Sequence, residues 1–336
     1  MRTAVIGAGS WGTALALVLS DNGHEVKLWD RNGERLLDMK ERRVNERYLP
    51  GVALPDGITY EPDAEKALAG AELAVFAVPA QHFARVFGDL SHYLGRDALA
   101  VNVAKGIDCG TLERLSEAAS RIRPGGRYAV LSGPSHAEEV GRRLPAALVS
   151  SSLSDEDAEA VQTAFMNSVF RVYTNTDLAG VELGGALKNI IALAAGISDG
   201  LGCGDNAKAA LMTRGLTEMI RLGMRMGADP NTFSGLSGMG DLIVTCGSVH
   251  SRNRRCGMLI GQGVSPDDAV KQVGMVVEGM YTAKAAAALS GKLGVEMPIT
   301  EALCGVIDGK ASAEEALGML MGRKKKHENE DILRTL

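Results

Sequence analysis

An α/β fold, with an N-terminal doubly wound parallel sheet followed by an all-α C-terminal domain, is what the sequence predicts, and three observations carry that expectation. Short apolar runs alternate with helical stretches of ten or more residues through the first half of the chain, the pattern of right-handed βαβ crossovers. The first run, Thr3–Ile6, breaks into Gly7-Ala-Gly-Ser-Trp-Gly12 before an Ala/Leu-rich helix, which gives strand, glycine-rich turn, helix. Near Thr174–Asp177 the pattern changes, and helical periods replace strands from there on.

In the opening turn each glycine has its own task. Gly7 makes the tight turn, Gly9 lets backbone approach a pyrophosphate, and Gly12 lets the helix pack against the strand. The helix N-terminus then offers free N–H groups to the anion. A second strand, Glu25–Asp30, follows the turn Asp21-Asn-Gly-His24 at the distance proper to a Rossmann-like dinucleotide site. Asp30 stands where an acid ordinarily holds the ribose hydroxyls of NAD, yet Arg31 follows and suits the phosphate of NADP. The two pull in opposite directions, which predicts use of both cofactors. Arg2 and the run Ala14–Leu19 imitate a secretory signal, but three glycines interrupt them and no small-residue cleavage site follows.

Further along, a helix is expected over Gly33–Arg43, then an irregular stretch, Val44–Tyr60, holding Tyr48-Leu-Pro-Gly51. The strand Glu72–Val78 ends at Pro79 and leads to a helix over Gln81–Leu94. Further strands span Ala98–Val103, Tyr128–Ser132 and Ala146–Ser150. Ligands of doubly wound sheets bind beyond the C-terminal ends of the strands. The motifs Gly7–Gly12, Val78-Pro79, Lys105-Gly106 and Gly133-Pro-Ser135 all follow strands, so one crevice can gather all four; Gly and Pro after a strand also serve simply as turn residues. Helices are expected at 178–199, 206–227, 252–261, 278–292, 298–307 and 311–321. The chain thus divides into a dinucleotide-binding domain, 1–175, and a helical domain for substrate binding and catalysis, 176–336.

The 336 residues are 46% apolar, enough to bury a core in each of two domains. The 41 glycines exceed the average usage of about 7% and lie in loops between apolar runs, as phosphate binding favours. A formal charge of -5 argues against general binding to nucleic acid or to an anionic membrane, so a positive site has to be local. By the same argument Arg323-Lys-Lys-Lys-His327 is a solvated charge run rather than a nucleic-acid patch. No uncharged apolar run approaches the roughly 18 residues of a membrane span; the longest candidate, Gly184–Gly196, holds Lys188 and Asn189. Cys109, Cys203, Cys246, Cys256 and Cys304 show no C-x-x-C spacing and are expected as reduced thiols of a cytoplasmic protein. The six histidines include no i, i+4 pair, and no metal is expected. The apolar helices of the second domain form either a homodimer interface or that domain's own core.

Lys188 and Asn189 interrupt an otherwise apolar helix, Glu182–Gly196, and such a lysine requires a reason. Its neighbours at i±3 and i±4 include Gly184, Gly185, Ile191 and Ala192, small residues that leave room for a ligand. Desolvation would lower its pKa toward the working pH of a general acid or base; the plain alternative is an ammonium that snorkels to solvent. Ser251 can cap a helix and so place Arg252 in its first turn, where N–H groups and guanidinium form an anion site that Asn253 can extend. Ser-Arg-Asn-Arg-Arg is also a common exposed helix start. Asp241 can hold Lys188 or a substrate hydroxyl, or serve only as a turn acid.

Taken together, Gly7-Ala-Gly-Ser-Trp-Gly12, Ala104-Lys-Gly106, Ser132-Gly-Pro-Ser-His-Ala-Glu138, Gly185-Ala-Leu-Lys-Asn189, Gly240-Asp241, Ser251-Arg-Asn253 and Val277-Glu-Gly279 resemble the bacterial NAD(P)-dependent glycerol-3-phosphate dehydrogenase family, over nearly the whole chain. The resemblance implies Lys188 as proton acceptor from the substrate hydroxyl. It implies substrate contacts by Lys105, Gly133, Ser135, Asp241, Ser251, Arg252 and Asn253. For NAD or NADP it implies contacts by Ser10, Trp11, Arg31, Tyr48, Lys105, Ala137, Arg252, Val276 and Glu278. It further implies a small phosphorylated substrate, glycerol 3-phosphate or dihydroxyacetone phosphate, and a cytoplasmic supply of glycerol phosphate to phospholipid synthesis. A dehydrogenase for a β-hydroxy acid fits the residue pattern as well, since arginine suits carboxylate and phosphate alike; the resemblance is what points to phosphate. A catalytically silent nucleotide sensor has no use for a lysine among small residues.

Overall fold

Alternate residues of the strand Arg2–Ile6 leave in opposite directions, and both sets are buried. Val5 joins Leu15, Leu19 and Leu28 on one face, while Ala4 and Ile6 join Phe76, Phe83 and Phe87 on the other. Burial on both faces makes a strand read as an unbroken apolar run, and it requires helices on both sides of the sheet. The three phenylalanines pack ring to ring, with centroids 5.0 to 6.2 Å apart.

The structure is a computed structural model and describes residues 1–325. Its strands are β1 (Arg2–Ile6), β2 (Glu25–Trp29), β3 (Val44–Asn45), β4 (Leu49–Ala53), β5 (Ile58–Tyr60), β6 (Leu73–Phe76), β7 (Leu99–Asn102), β8 (Tyr128–Ser132), β9 (Ala146–Ser151) and β10 (Phe170–Asn175). Eight of them form one sheet in the order β10-β9-β8-β7-β6-β1-β2-β5, while β3 and β4 pair separately as an antiparallel ribbon. The first strand lies between β2 and β6, so the direction of winding reverses there. The C-terminal end of β1 is therefore the switch point at which open sheets bind ligands.

The sheet is mostly parallel, with one departure from the expected all-parallel arrangement: β9 runs antiparallel to β8. Only the five-residue helix Ala137–Gly141 lies between them. At about 1.5 Å per residue it is too short to carry the chain back along a strand for a parallel return. The eleven-residue helix Asp155–Phe165 does carry it back, and β9 and β10 are parallel. The stretch Val44–Tyr60, expected to be irregular, contains β3, β4 and β5. The unexpected β10 is an edge strand with Phe170 and Val172 buried and Arg171 and Tyr173 exposed. Helices Leu115–Ile122, Asp241–Gly247 and Pro266–Val273 also add to the expected set.

By contact the chain divides into two compact units, one of Met1–Lys105 with Glu113–Val181, the other of Gly106–Leu112 with the chain from Glu182 onward. In the second unit, helices Leu178–Gly200 and Arg252–Gly261 meet along two glycine pairs. A Cβ on Gly196 would lie 2.1 Å from the Arg254 carbonyl oxygen, and one on Gly257 would lie 2.1 Å from that of Leu193. Gly200 and Gly261 repeat the arrangement one turn on, so the two backbones touch where no side chain fits. Leu178–Gly200 is long and apolar enough to cross a bilayer, but 89% of its apolar window is buried inside the protein. Of the basic tail, Arg323, Lys324 and Lys325 are exposed, while Lys326 and His327 lie outside the described residues.

Candidate active site

At the end of β1 the three glycines of the turn meet three different surroundings. Gly7 has φ +108° and a Cβ there would stand 2.6 Å from the Ala77 carbonyl oxygen, so backbone and space both demand glycine. Gly12 would place a Cβ 1.9 Å from the Gly7 oxygen, which fixes the close seating of the helix on the strand. Gly9 meets nothing within 4 Å. The helix Ser10–Asp21 that follows has no side-chain cap, which leaves its first N–H groups to an incoming anion. The buried Trp11 Nε1 has no hydrogen-bond partner. A cradle of this kind fits a dinucleotide pyrophosphate.

Two residues brace the turn from behind. Asn45, 1% exposed, donates through Nδ2 to the Ala8 carbonyl oxygen at 3.0 Å and to Thr13 Oγ1 at 2.8 Å. Asp30 accepts the Ala8 N–H at 2.9 Å and the Asn32 N–H at 2.9 Å, and pairs with Arg35. The acid expected to hold ribose hydroxyls is thus engaged within the protein. Arg31 is exposed and makes no ion pair among the described residues. Two guanidinium groups approach the Tyr48 ring, Arg35 at 4.9 Å and Arg47 at 5.3 Å from its centroid.

Beyond β7 and β8 the same unit brings Lys105, Gly133 and Ser135 together. Lys105 Nζ donates to the Gly133 carbonyl oxygen at 2.8 Å and lies 3.2 Å from Ser135 Oγ, which itself donates to that carbonyl at 2.8 Å. Gly133 has φ +126°, and a Cβ there would lie 3.1 Å from the Leu148 Cα, so this place in the loop favours glycine. Ala137 opens the short helix Ala137–Gly141 and is buried.

In the second unit Lys188 is buried, 6% exposed. Its Nζ lies 3.1 Å from Asp241 Oδ1 and donates to Thr245 Oγ1 at 2.7 Å. Thr245 in turn donates to the Asp241 backbone carbonyl at 2.6 Å. The ion pair compensates the burial of the ammonium, and the hydroxyl fixes its direction. Asp241 is brought there by a π-helical turn, Leu236–Gly240, which packs its backbone on Gly184 so closely that a Cβ would lie 2.8 Å from the Ser237 oxygen. The small residue expected to leave room for a ligand beside Lys188 admits this turn instead.

Ser251 caps the helix Arg252–Gly261, accepting the Arg254 N–H at 3.2 Å, and so sets Arg252 in the first turn. Arg252 is half-buried and has no side-chain hydrogen bond or ion pair among the described residues, whereas Arg254 donates to Asp199 at 2.6 Å, an acid shared with Lys208 at 2.7 Å. Asn253 is a brace: Nδ2 donates to Asn189 Oδ1 at 2.8 Å and Oδ1 accepts the Gly279 N–H at 2.8 Å. One of its N–H groups remains for a ligand. Gly279 belongs to the first turn of the helix Glu278–Leu293, with Val276 just before it and 36% exposed.

The residues of each unit coincide with a family pattern. The model of the N-terminal part of NAD-dependent glycerol-3-phosphate dehydrogenase matches residues 2–158, and that of its C-terminal part matches residues 177–318. The chain belongs to the NAD-dependent glycerol-3-phosphate dehydrogenase family. It is 53% identical over 334 residues to the glycerol-3-phosphate dehydrogenase [NAD(P)+] of Bacillus cereus strain AH187, covering 98% of each chain. The protein of the same name from Bacillus thuringiensis strain Al Hakam is 52% identical over the same length. A crystal structure of glycerol-3-phosphate dehydrogenase from Coxiella burnetii superposes with a TM-score of 0.93 at 38% identity, covering 96% of this chain and 99% of that one. The protein is therefore an NAD(P)-dependent oxidoreductase.

Thr245 and Asn45 were not among the expected site residues. Thr245 stands four residues after Asp241, one helical turn away, and that spacing is the signal that could have found it. Asn45 lies in a stretch with no regular pattern, and nothing local marks it.

Proposed function

We propose that the enzyme moves a hydride reversibly between NAD(P)(H) and C2 of glycerol 3-phosphate or dihydroxyacetone phosphate, with Lys188 as the acid and base. The observation that carries this is Lys188 itself, buried and held between Asp241 and Thr245. The bound nicotinamide supplies or takes the hydride. In the reducing direction the ion-paired ammonium of Lys188 gives a proton to the C2 oxygen as it becomes a hydroxyl; in the oxidising direction the neutral amine takes that proton back. Asp241 and Thr245 orient Nζ, and Asp241 stabilises the charge that returns to it.

Arg252 suits the substrate phosphate because, unlike the neighbouring Arg254, it has no anion among the described residues, is half-buried where Arg255 is exposed, and stands beside free N–H groups at a helix start. Ser251, with its hydroxyl hydrogen still available, and the remaining N–H of Asn253 extend the same donor set. Lys105, Gly133 and Ser135 are read as further substrate contacts. Ser10, Trp11, Arg31, Tyr48, Ala137, Val276 and Glu278 are read as cofactor contacts. On this reading residues 1–175 form the dinucleotide domain and 176–336 the substrate domain of a cytoplasmic enzyme that supplies glycerol 3-phosphate to phospholipid synthesis. Oxidation of NADH or NADPH on addition of dihydroxyacetone phosphate is the test. Nucleotide binding without turnover of that substrate would leave a dehydrogenase of some other hydroxy compound.

A further inference from the structure

At the end of β2 an acid that could accept a ribose diol has already been taken by the protein. Asp30 is 7% exposed. Its Oδ2 accepts the Ala8 N–H and pairs with Arg35, and its Oδ1 accepts the Asn32 N–H. Arg35 is no loose surface cation. It lies in the first turn of the helix Gly33–Arg42, its own N–H bonds the Asn32 cap at 3.0 Å, its side chain is 19% exposed, and its guanidinium covers the Tyr48 ring. Arg47 approaches the same ring, and neither Arg47 nor Arg31 has an ion pair among the described residues. The end of β2 therefore carries one neutralised acid beside three arginines.

We propose that Arg35 sets the choice between NADH and NADPH by neutralising and occupying Asp30; the inference rests on the nucleotide site at Gly7–Gly12. An uncompensated carboxylate at this place in a doubly wound fold favours the ribose diol and repels a 2′-phosphate. Paired with Arg35, Asp30 does neither, and it serves instead to hold the Ala8 backbone of the glycine turn. Arg35 acts on the cofactor through Asp30 and need not touch it. The preference is then a local charge balance. Removing the cation should shift it toward NADH, and removing the anion should shift it toward NADPH.

Dissociation constants of NADH and NADPH, measured by titration calorimetry and by quenching of Trp11 and Trp29 fluorescence, read this without turnover. Arg35→Met, which keeps an apolar stem against Tyr48, should raise the NADPH-to-NADH ratio of dissociation constants by about tenfold or more. Asp30→Asn should move the ratio in the opposite direction, and the double variant should return it to within about twofold of wild type. Arg35→Lys, which keeps the charge, should stay near wild type. A purely structural Arg35 would weaken both cofactors alike, and Asp30→Asn would not restore them; equal shifts in the two ratios, or shifts of the same sign, overturn the proposal. Should the wild-type protein bind neither nucleotide, the cofactor site itself fails, a result distinct from a bound pair whose ratio ignores Arg35.

Discussion

Gly9 in the first unit and the helix-packing glycines of the second do opposite work. In the first unit Gly9 faces open space where a Cβ would stand, while in the second Gly196, Gly200, Gly257 and Gly261 each face a backbone carbonyl oxygen 2.1 to 2.4 Å from that point. One glycine keeps a place clear for a ligand; the others let two helices close on each other. Gly184 belongs with the second group, because the Leu236–Gly240 turn fills its side of the helix and brings Asp241 to Lys188. In the second unit, therefore, close packing builds the charged site, whereas in the first unit the packed Gly7 and Gly12 frame a vacancy at Gly9.

The largest effect should come from the group that this packing positions. Lys188→Ala should lower turnover by roughly 10²–10⁴-fold, the usual contribution of a placed acid or base. NADH binding should persist, since the glycine turn belongs to the other unit. Lys188→Arg should not rescue turnover, because a guanidinium cannot exchange the proton. Near-wild-type turnover of the Arg variant at saturating substrate would exclude Lys188 and send the search to His136, beside Ser135. Next in size, Arg252→Ala should cost about 2–5 kcal/mol of substrate binding if its pairing with phosphate is desolvated, appearing in KM more than in kcat. An unchanged KM would remove phosphate recognition from this residue.

The glycine contrast can be tested directly. Gly257→Ala forces a methyl onto the Leu193 carbonyl and should destabilise the protein by about 1–3 kcal/mol or more, read as a lower denaturation midpoint. Gly9→Ala meets no protein atom, so the midpoint should hold while NADH affinity falls. Equal loss of stability in both variants would erase the distinction between an open glycine and a packed one.

Much of the first unit was legible because its glycine turn is a local device. The positive φ of Gly7 and the contact of Gly12 with the Gly7 carbonyl are backbone requirements within a few residues, and the Ser251 cap is likewise local. Lys188 stood out as a charge in an apolar helix. Its partner Thr245 did not, since the bond joins residues 57 positions apart, and Asn45 reaches Ala8 across 37. At Gly184 the room expected beside Lys188 is taken by the Leu236–Gly240 turn, because a small side chain in a sequence does not say whether a ligand or a backbone will approach it. The antiparallel turn of β9 depended on the five residues of the helix Ala137–Gly141, a length that hydrophobic periodicity does not fix.

A last difference between the units lies in their buried carboxylates. Asp30 is balanced by Arg35, whereas Glu218, 2% exposed, accepts the Ile299 N–H at 2.6 Å, the Thr300 N–H at 3.2 Å and the Thr300 hydroxyl at 3.0 Å, all at the start of the helix Pro298–Ile307. Burial pushes its carboxyl up to about 7 although these three donors and the charge of Arg221 work the other way. A folded-state value above the unfolded 4.5 means that the native protein binds more protons between the two, so stability is full below about 4.5 and declines as pH rises toward about 7. The slope is the smallest effect expected, about 1 kcal/mol per pH unit within that window. Glu218→Gln has no proton to lose, so its stability relative to wild type should rise from pH 5 to pH 7 and then level off, as followed by urea midpoints. A relative stability that is flat from pH 5 to pH 7, and that falls only as pH rises toward about 4.5, would mean that the helix-start donors and Arg221 outweigh burial and hold Glu218 ionised.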